Sequence, residues 1–342
     1  MFAHSRQVLG EDHPDTLLAL SRLAGLAYEQ GAYAQAETLY RELLDRNQRV
    51  LGREHPSTCT AMYGLGLMYF VQGKHTEAAD ALREVLTIER RTRGGASALA
   101  LSALKLLART QEQSGESAAA ESLYREAWEG YRRVRGELDP STLTVRNSLA
   151  GVLCDLGQTV EAEAIYREVL TAQRATLGDS APDTLTTFND LALLLKNSGR
   201  LVEAEPLYRE VLEINRRSSP GTERQAFFTA FNLACLLRED GRAAEAEPLF
   251  WQVNGQAARL LTPEDWRAAR MQVEYGRCLV DLHRFDEAEP CLVAGHAALV
   301  AALHADDARV LKARGHLVDL YEAWGKPDQA AAWRARIPST QP

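Results

Sequence analysis

The chain is 342 residues long, 46% apolar and 25% charged, with a formal net charge of −8. It is too apolar for a disordered chain and too acidic for a nucleic-acid binder, whose affinity would rest on a net basic surface. No apolar run is long enough for a membrane span, and Met1 to Gly10 has no apolar stretch of signal-peptide type, so a cytoplasmic protein is expected.

Residues 1–9 align with the last turns of the later segment 43–51, without the helix that would precede them, so the chain reads as beginning mid-repeat, cut from a larger array or a missing domain. From there a 42-residue period sets in. Glycine recurs at Gly31, Gly73, Gly115, Gly157, Gly199 and Gly241, gives way to His283, and returns at Gly325. Five residues after each position stands an alanine, from Ala36, Ala78, Ala120 and Ala162 to Ala204, Ala246, Ala288 and Ala330. Such self-similarity marks an array in which each unit buries its apolar face only against its neighbours. The repeats fall at 10–51, 52–93, 94–135, 136–177, 178–219, 220–261, 262–303 and 304–342, a single array over 1–342.

Each period resolves into two helices. Leu23, Leu65, Leu107, Leu149, Leu191, Leu233 and Leu317 share a column on the first, with Tyr275 the exception, and the next column is a small residue such as Ala24, Gly66 or Gly276 that lets the second helix approach closely. The recurring alanine, with Tyr40, Tyr124, Tyr166, Tyr208 or Phe250 four residues on, supplies the second helix's side of that contact. The glycine between them sits where a left-handed residue ends the first helix, and His283 tolerates positive φ better than a β-branched residue would.

Pro14, Pro56, Pro140 and Pro182 mark the starts of first helices. The His13-Pro14 and His55-Pro56 pairs give way to Asp139 and Ala181 later, so a capping role is expected rather than chemistry. The seventh repeat opens on Thr262-Pro263-Glu264-Asp265, where Thr262 is expected as N-cap and Asp265 as the acidic third residue. In the last repeat Arg334 stands in the tyrosine column and Val318 in the small column, and Pro338 stops the helix before a polar tail, as in a terminal capping repeat. This end reads as native.

The five cysteines, Cys59, Cys154, Cys235, Cys278 and Cys291, include no C-x-x-C pair. Cys278 and Cys291 fall in leucine columns and read as small apolar core residues of a reducing compartment, with no metal and no cofactor expected.

Leu65-Gly66-x-x-Tyr69 followed by Ala78, and pairs such as Ala162 with Tyr166, resemble tetratricopeptide repeats. Leu51-Gly52-x-x-His55-Pro56-x-Thr58 and the Gly-Arg-x-x-Glu-Ala-Glu-Pro-Leu-Tyr run at 199–208 resemble the kinesin light chain subclass more particularly. The resemblance covers almost the whole chain and departs from the 34-residue form in lacking its helix-B proline, which fits longer second helices. It implies an all-α, right-handed superhelical solenoid of antiparallel helix pairs, whose concave first-helix face commonly binds peptide segments. In that fold the inward side chains lie two before, one before, two after, and five or six after the recurring leucine. These positions and their neighbours give Lys105, Arg109, Asn147, Asn189, Asp190, Lys196, Asn232, Arg238 and Arg277 as candidate ligand-binding residues. Asparagine can offer a bound backbone both donor and acceptor. The competing reading is a solvated polar face, since Ser21, Tyr63 and Phe231 occupy the same column elsewhere. Lys105-x-x-x-Arg109 also resembles part of the carboxylate clamp of chaperone-binding members, but Ser21, Gly25 and Gly64 stand where its lysine and two asparagines would be wanted.

The expected function is a protein-interaction scaffold holding a protein or peptide segment in the groove, with neither nucleic acid nor membrane as partner. The alternative is a ligand-sensing arm of a larger signalling protein with an N-terminal effector; no G-x-x-x-x-G-K-[ST] occurs, so any such module lies outside this chain. An enzyme using the groove is a third reading with less support. No G-x-S-x-G or H-E-x-x-H is present, Cys154 and His316 stand about four repeats apart, and the recurring acids, Glu37 to Glu289, fit the positive end of a helix dipole. One stretch breaks the surface pattern: Cys291 to Ala305 has no charged residue, counting His neutral. It is either an alanine-rich helix or a homodimer or partner contact on the convex face around Val293, Leu299, Val300 and Leu303.

Overall fold

The first turn of most first helices is tied down by the residue just before it. The structure is a computed structural model describing residues 2–217, 223–262 and 265–337, and among these it holds 17 α-helices and no strand. The chain divides into two compact units, the first ending at Thr176 and the second beginning at Leu177. In the first, α1 (Phe2–Leu9) precedes four pairs: α2 (Pro14–Glu29) with α3 (Tyr33–Leu51), α4 (Pro56–Val71) with α5 (His75–Arg93), α6 (Ala98–Gln113) with α7 (Ser117–Arg135), and α8 (Pro140–Asp155) with α9 (Thr159–Thr176). The second holds α10 (Pro182–Asn197) with α11 (Leu201–Arg217), α12 (Glu223–Glu239) with α13 (Ala243–Leu260), α14 (Trp266–Asp281) with α15 (Phe285–Ala302), and α16 (Ala308–Ala323) with α17 (Pro327–Arg334). The all-α repeat of helix pairs expected from the period is the one observed, and except for α17 the second helices run to 17–19 residues.

His13, His55 and Asp139 are N-caps, accepting from the backbone N–H of Asp15, Ser57 and Ser141 at 3.2, 3.2 and 2.8 Å. The motif-like histidines are therefore caps, not chemistry. A second tie recurs: the hydroxyls of Thr16, Thr58, Thr142 and Thr184 donate to the carbonyl oxygens of Gly10, Gly52, Gly136 and Gly178 at 2.7–2.9 Å, fastening the preceding glycine to the helix. The seventh repeat differs from expectation. Asp265, not Thr262, caps α14, accepting from the N–H of Arg267 at 3.0 Å, because its carboxylate adjoins the helix and reaches the second free N–H directly. Pro263 and Glu264 lie outside the described residues, as does Pro338.

His283, with φ of 58°, is the only non-glycine at positive φ among the described residues, and it occupies the position where the other repeats place glycine. The close contact of each pair is where the columns put it. Seven of the recurring alanines, Ala36 to Ala288, are fully buried and Ala330 is 2% exposed. A methyl group added at Gly276 would stand 2.7 Å from Leu292 Cγ. At Gly66 it would stand 3.2 Å from Leu82 Cγ. Ala204→Leu is therefore expected to destabilise the C-terminal unit by roughly 1–3 kcal/mol through overpacking; an unchanged thermal midpoint would remove this alanine from the contact.

The uncharged stretch of α15, from Cys291 onward, has one inner and one outer face. Leu292, Gly295 and Leu299 form its inner stripe, with Leu299 2% exposed in the cluster that includes Val273, Val310 and Ala313. Leu303 is half-buried against the same cluster. Of the four residues expected on a convex contact, only Val293 and Val300 face outward. The expectation for Leu299 is corrected by the 3.6-residue period, which puts it one turn above Gly295 on the core side.

Candidate ligand-binding surface on the first helices

Both units carry a recess along their first helices, between the initial turns of consecutive ones. In the N-terminal unit it measures about 430 Å³ and is walled by Leu17, Leu18, Leu43, Val50 and Leu51, with Pro14 and Pro56 at the helix starts. Leu18, Val50 and Leu51 are exposed there. Asn47, buried at its edge, donates Nδ2 to the Ser57 carbonyl at 3.1 Å and leaves Oδ1 without a partner. The character of this recess is apolar.

The C-terminal recess is smaller, about 200 Å³, and differently lined. Trp266, Val273, Leu299 and Ala313 form its apolar part, while Arg270, Arg309, Lys312 and His316 bring positive charge or donors around it. Its one carboxylate, Glu274, is already engaged: Arg277 lies 2.8 Å away and Arg238 3.4 Å. Burial alone would raise the Glu274 pKa, but Arg277 and Arg238 outweigh it and hold the carboxyl ionised, below its ordinary value. Arg309 reaches over the Trp266 ring at 4.2 Å while paired to Asp307 at 2.7 Å, and Arg270 lies over Phe231 at 5.3 Å.

Behind this recess lies a charged cleft of about 90 Å³ lined by Arg238, Arg277, Asp281, His316 and Asp319. Arg238 has 8% of its side chain exposed, pairs with Asp281 at 3.3 Å, and keeps a buried Nε without a partner. His316 Nδ1 faces Asp319 at 3.5 Å, and its Nε2 is buried and unpartnered. Burial, helped by Arg277, pushes the imidazole pKa down to about 4, so the ring is neutral at physiological pH.

The residues expected from the sequence are distributed unevenly over these features. Arg238 and Arg277 are brought together on one carboxylate. Lys196 pairs with Glu239 at 2.8 Å. Asn189 is spent inside the fold, donating Nδ2 to the Leu185 carbonyl and accepting from the Thr229 hydroxyl, both at 2.9 Å. Asp190 and Asn232 are half-buried on α10 and α12. In the N-terminal unit Arg109 is exposed over the Phe70 ring at 5.1 Å, and Lys105 and Asn147 are half-buried on α6 and α8. Glu274 and His316 were missed, although they occupy the column of Asp190 and Asn232; Arg270 and Lys312, one turn earlier in the column of Leu18, carry no such signal.

Chemistry of the nucleophilic kind finds little purchase. The five cysteines form no disulfide with one another, and burial pushes the thiols of Cys235 and Cys278 up to about 12, so both are protonated at neutral pH. Among the described residues no group of three or more His, Cys, Asp or Glu side chains is arranged to hold a metal ion. No helix among them is long and apolar enough to cross a membrane.

The tetratricopeptide repeat profile matches residues 15–91, 57–133 and 141–217. The chain belongs to the tetratricopeptide-repeat family, an architecture of protein-interaction scaffolds. Among solved structures it is similar to the nearly identical repeats of a putative kinesin light chain from Podosopora anserina, at 25% identity and a TM-score of 0.54, over 61% of this chain and 99% of that one. It also shares its fold with the apo quorum sensor NprR from B. thuringiensis, at 14% identity and a TM-score of 0.70, over 94% of this chain and 86% of that one. A Rap protein complexed with Competence and Sporulation Factor matches at 13% identity and a TM-score of 0.58, over 94% of this chain and 96% of that one. No curated protein matches the chain significantly.

Proposed function

We propose that this protein is a scaffold that holds a peptide segment of a partner against the faces of its first helices, with acidic residues of that segment directed to the recess between α14 and α16. The observation that carries this reading is the charge of that recess. Arg270 and Lys312 stand beside an apolar floor, Arg309 is paired with Asp307 at its edge, and the one carboxylate among its lining residues is held by Arg238 and Arg277. A chain of formal net charge −8 concentrates cations here, so the site complements a carboxylate carried beside an apolar side chain. The volume suits one side chain rather than a drug-sized ligand, whose pockets run from about 300 to 1,000 Å³. A Rap protein, described in complex with Competence and Sporulation Factor, shares the fold; at 13% identity it carries no ligand over to this chain.

A displayed peptide library screened with the intact protein is expected to return segments that combine carboxylates with an apolar residue. Arg270→Ala combined with Lys312→Ala should weaken such a peptide at least about tenfold and flatten its dependence on salt. Equal affinity in both proteins across a salt series would overturn the assignment of this recess.

A further inference from the structure

The outward face of the second helices changes character along the chain. One exposed column reads Arg41, Arg83, Arg125, Arg167 and Arg209, and then becomes Trp251 and Val293. The next reads Glu42, Glu84, Glu126, Glu168 and Glu210, then Gln252 and Ala294. Seven residues beyond the first, Gln48, Arg90, Arg132, Arg174 and Arg216 give way to Ala258 and Val300. These columns of α13 and α15 have thus lost the charges that the earlier second helices keep in water, with Arg259, paired to Glu223, remaining at the C-terminal end of α13, and Trp251 stands 69% exposed among them. An exposed tryptophan replacing a recurrent arginine leaves a large apolar group in water.

Further along the same side of α13 lies a recess of about 450 Å³ between α13, α14 and α15, whose floor is Ala257, Ala258, Ala269, Ala298 and Ala302 with Leu261 at its end, and whose polar edge includes Asn254, the helix-capping Asp265 and Gln272. Trp251 and Ala258 lie on one side of α13, seven residues or roughly 10 Å apart along its axis. Between them Gly255 is exposed, and a Cβ built on it would meet nothing within 4 Å.

Knob and recess on one face, with a glycine midway, form a self-complementary pattern. We propose that this face is the interface of a homodimer, in which α13 of two copies cross antiparallel near Gly255 and Trp251 of each copy seats in the alanine-lined recess of the other. A two-fold contact pairs the same patch with itself, so residues equally spaced on either side of the axis meet. With the axis near Gly255, Trp251 of one copy faces the level of Ala258 of its partner. The missing side chain at Gly255 lets the two helices approach, and the absence of charge from Pro248 to Ala258 removes like-charge repulsion across the axis. The faces of two 18-residue helices, each about 27 Å long and about 10 Å wide, offer roughly 500 Å² per copy, so association belongs at the small, micromolar end of specific interfaces. This contact is independent of the first-helix recess and of the peptide reading.

Sedimentation velocity of the full chain over a range from about 1 to 300 μM tests it, the range being set by the interface size. The wild type is expected to pass from monomer to dimer. Trp251→Arg, which restores the residue that five other repeats tolerate at this column, should keep its helicity and lose at least about thirtyfold in association, the size of a central hot spot. Ala258→Arg should act likewise by placing a charge at the recess. Gly255→Cys, oxidised, should give a disulfide-linked dimer that the wild type with its five native cysteines does not form. A wild type that stays monomeric throughout, or a dimer that Trp251→Arg leaves intact, overturns the proposal; a monomer in which Trp251 instead captures another protein overturns it equally.

Discussion

Phe250→Ala is expected to cost the C-terminal unit about 3–5 kcal/mol, while Trp251→Ala, one residue on, stays within about 0.5 kcal/mol when both are measured at concentrations where the chain is monomeric. The contrast comes from helical geometry. Phe250 is fully buried, with the rings of Phe231 at 6.1 Å and Tyr275 at 6.4 Å, and its removal leaves a cavity where α12, α13 and α14 meet. Trp251 points 100° away, into solvent in the monomer. Urea midpoints followed by circular dichroism decide it, and a Phe250→Ala midpoint near wild type would mean that the aromatic column does not form the seam between repeats.

The second large effect is a loss of stability in mild acid that depends on one side chain. Burial and the nearby Arg277 hold the folded pKa of His316 at about 4, against an ordinary value of 6.5. As pH falls from 6.5 toward 4, the unfolded chain takes up a proton that the folded chain refuses, so the equilibrium moves toward unfolding. The folded state keeps the full benefit above pH 6.5 and has lost it by pH 4. At about 1.36 kcal/mol per unit, the window is worth on the order of 3 kcal/mol. His316→Gln, which cannot titrate, should remove most of this slope while leaving that of the carboxylates. Urea midpoints at pH 7 and pH 4.5 for both proteins measure it; equal losses would show that the imidazole is protonated in the folded state.

Much of the candidate site was invisible in the sequence for a reason that these residues make concrete. Arg238 and Arg277 could be assigned to the first-helix face from the resemblance, yet nothing in their spacing says that both converge on Glu274, which is three residues before one and 36 after the other. Asn189 looked like a free amide and is instead bonded to α10 and α12, because the neighbouring repeat supplies Thr229 at the right height. Leu299 and Val300 look alike in an uncharged run, and only the phase of α15 against Val273 and Val310 separates core from surface.

The sequence by itself determined the repeat length, the positions of the helix pairs, the capping histidines and the left-handed turns, because those depend on local backbone preferences and on a period that 42-residue self-similarity exposes directly. It also determined where charge drops out of the outward columns, since that needs only alignment of one repeat on the next. Tertiary structure alone decided which polar groups are left over. Whether a carboxylate, an imidazole or an indole is paired, buried or bare depends on side chains from helices tens of residues apart meeting within a few ångströms. The repeat pattern fixes the positions of these helices, while the partners at each contact vary from one repeat to the next.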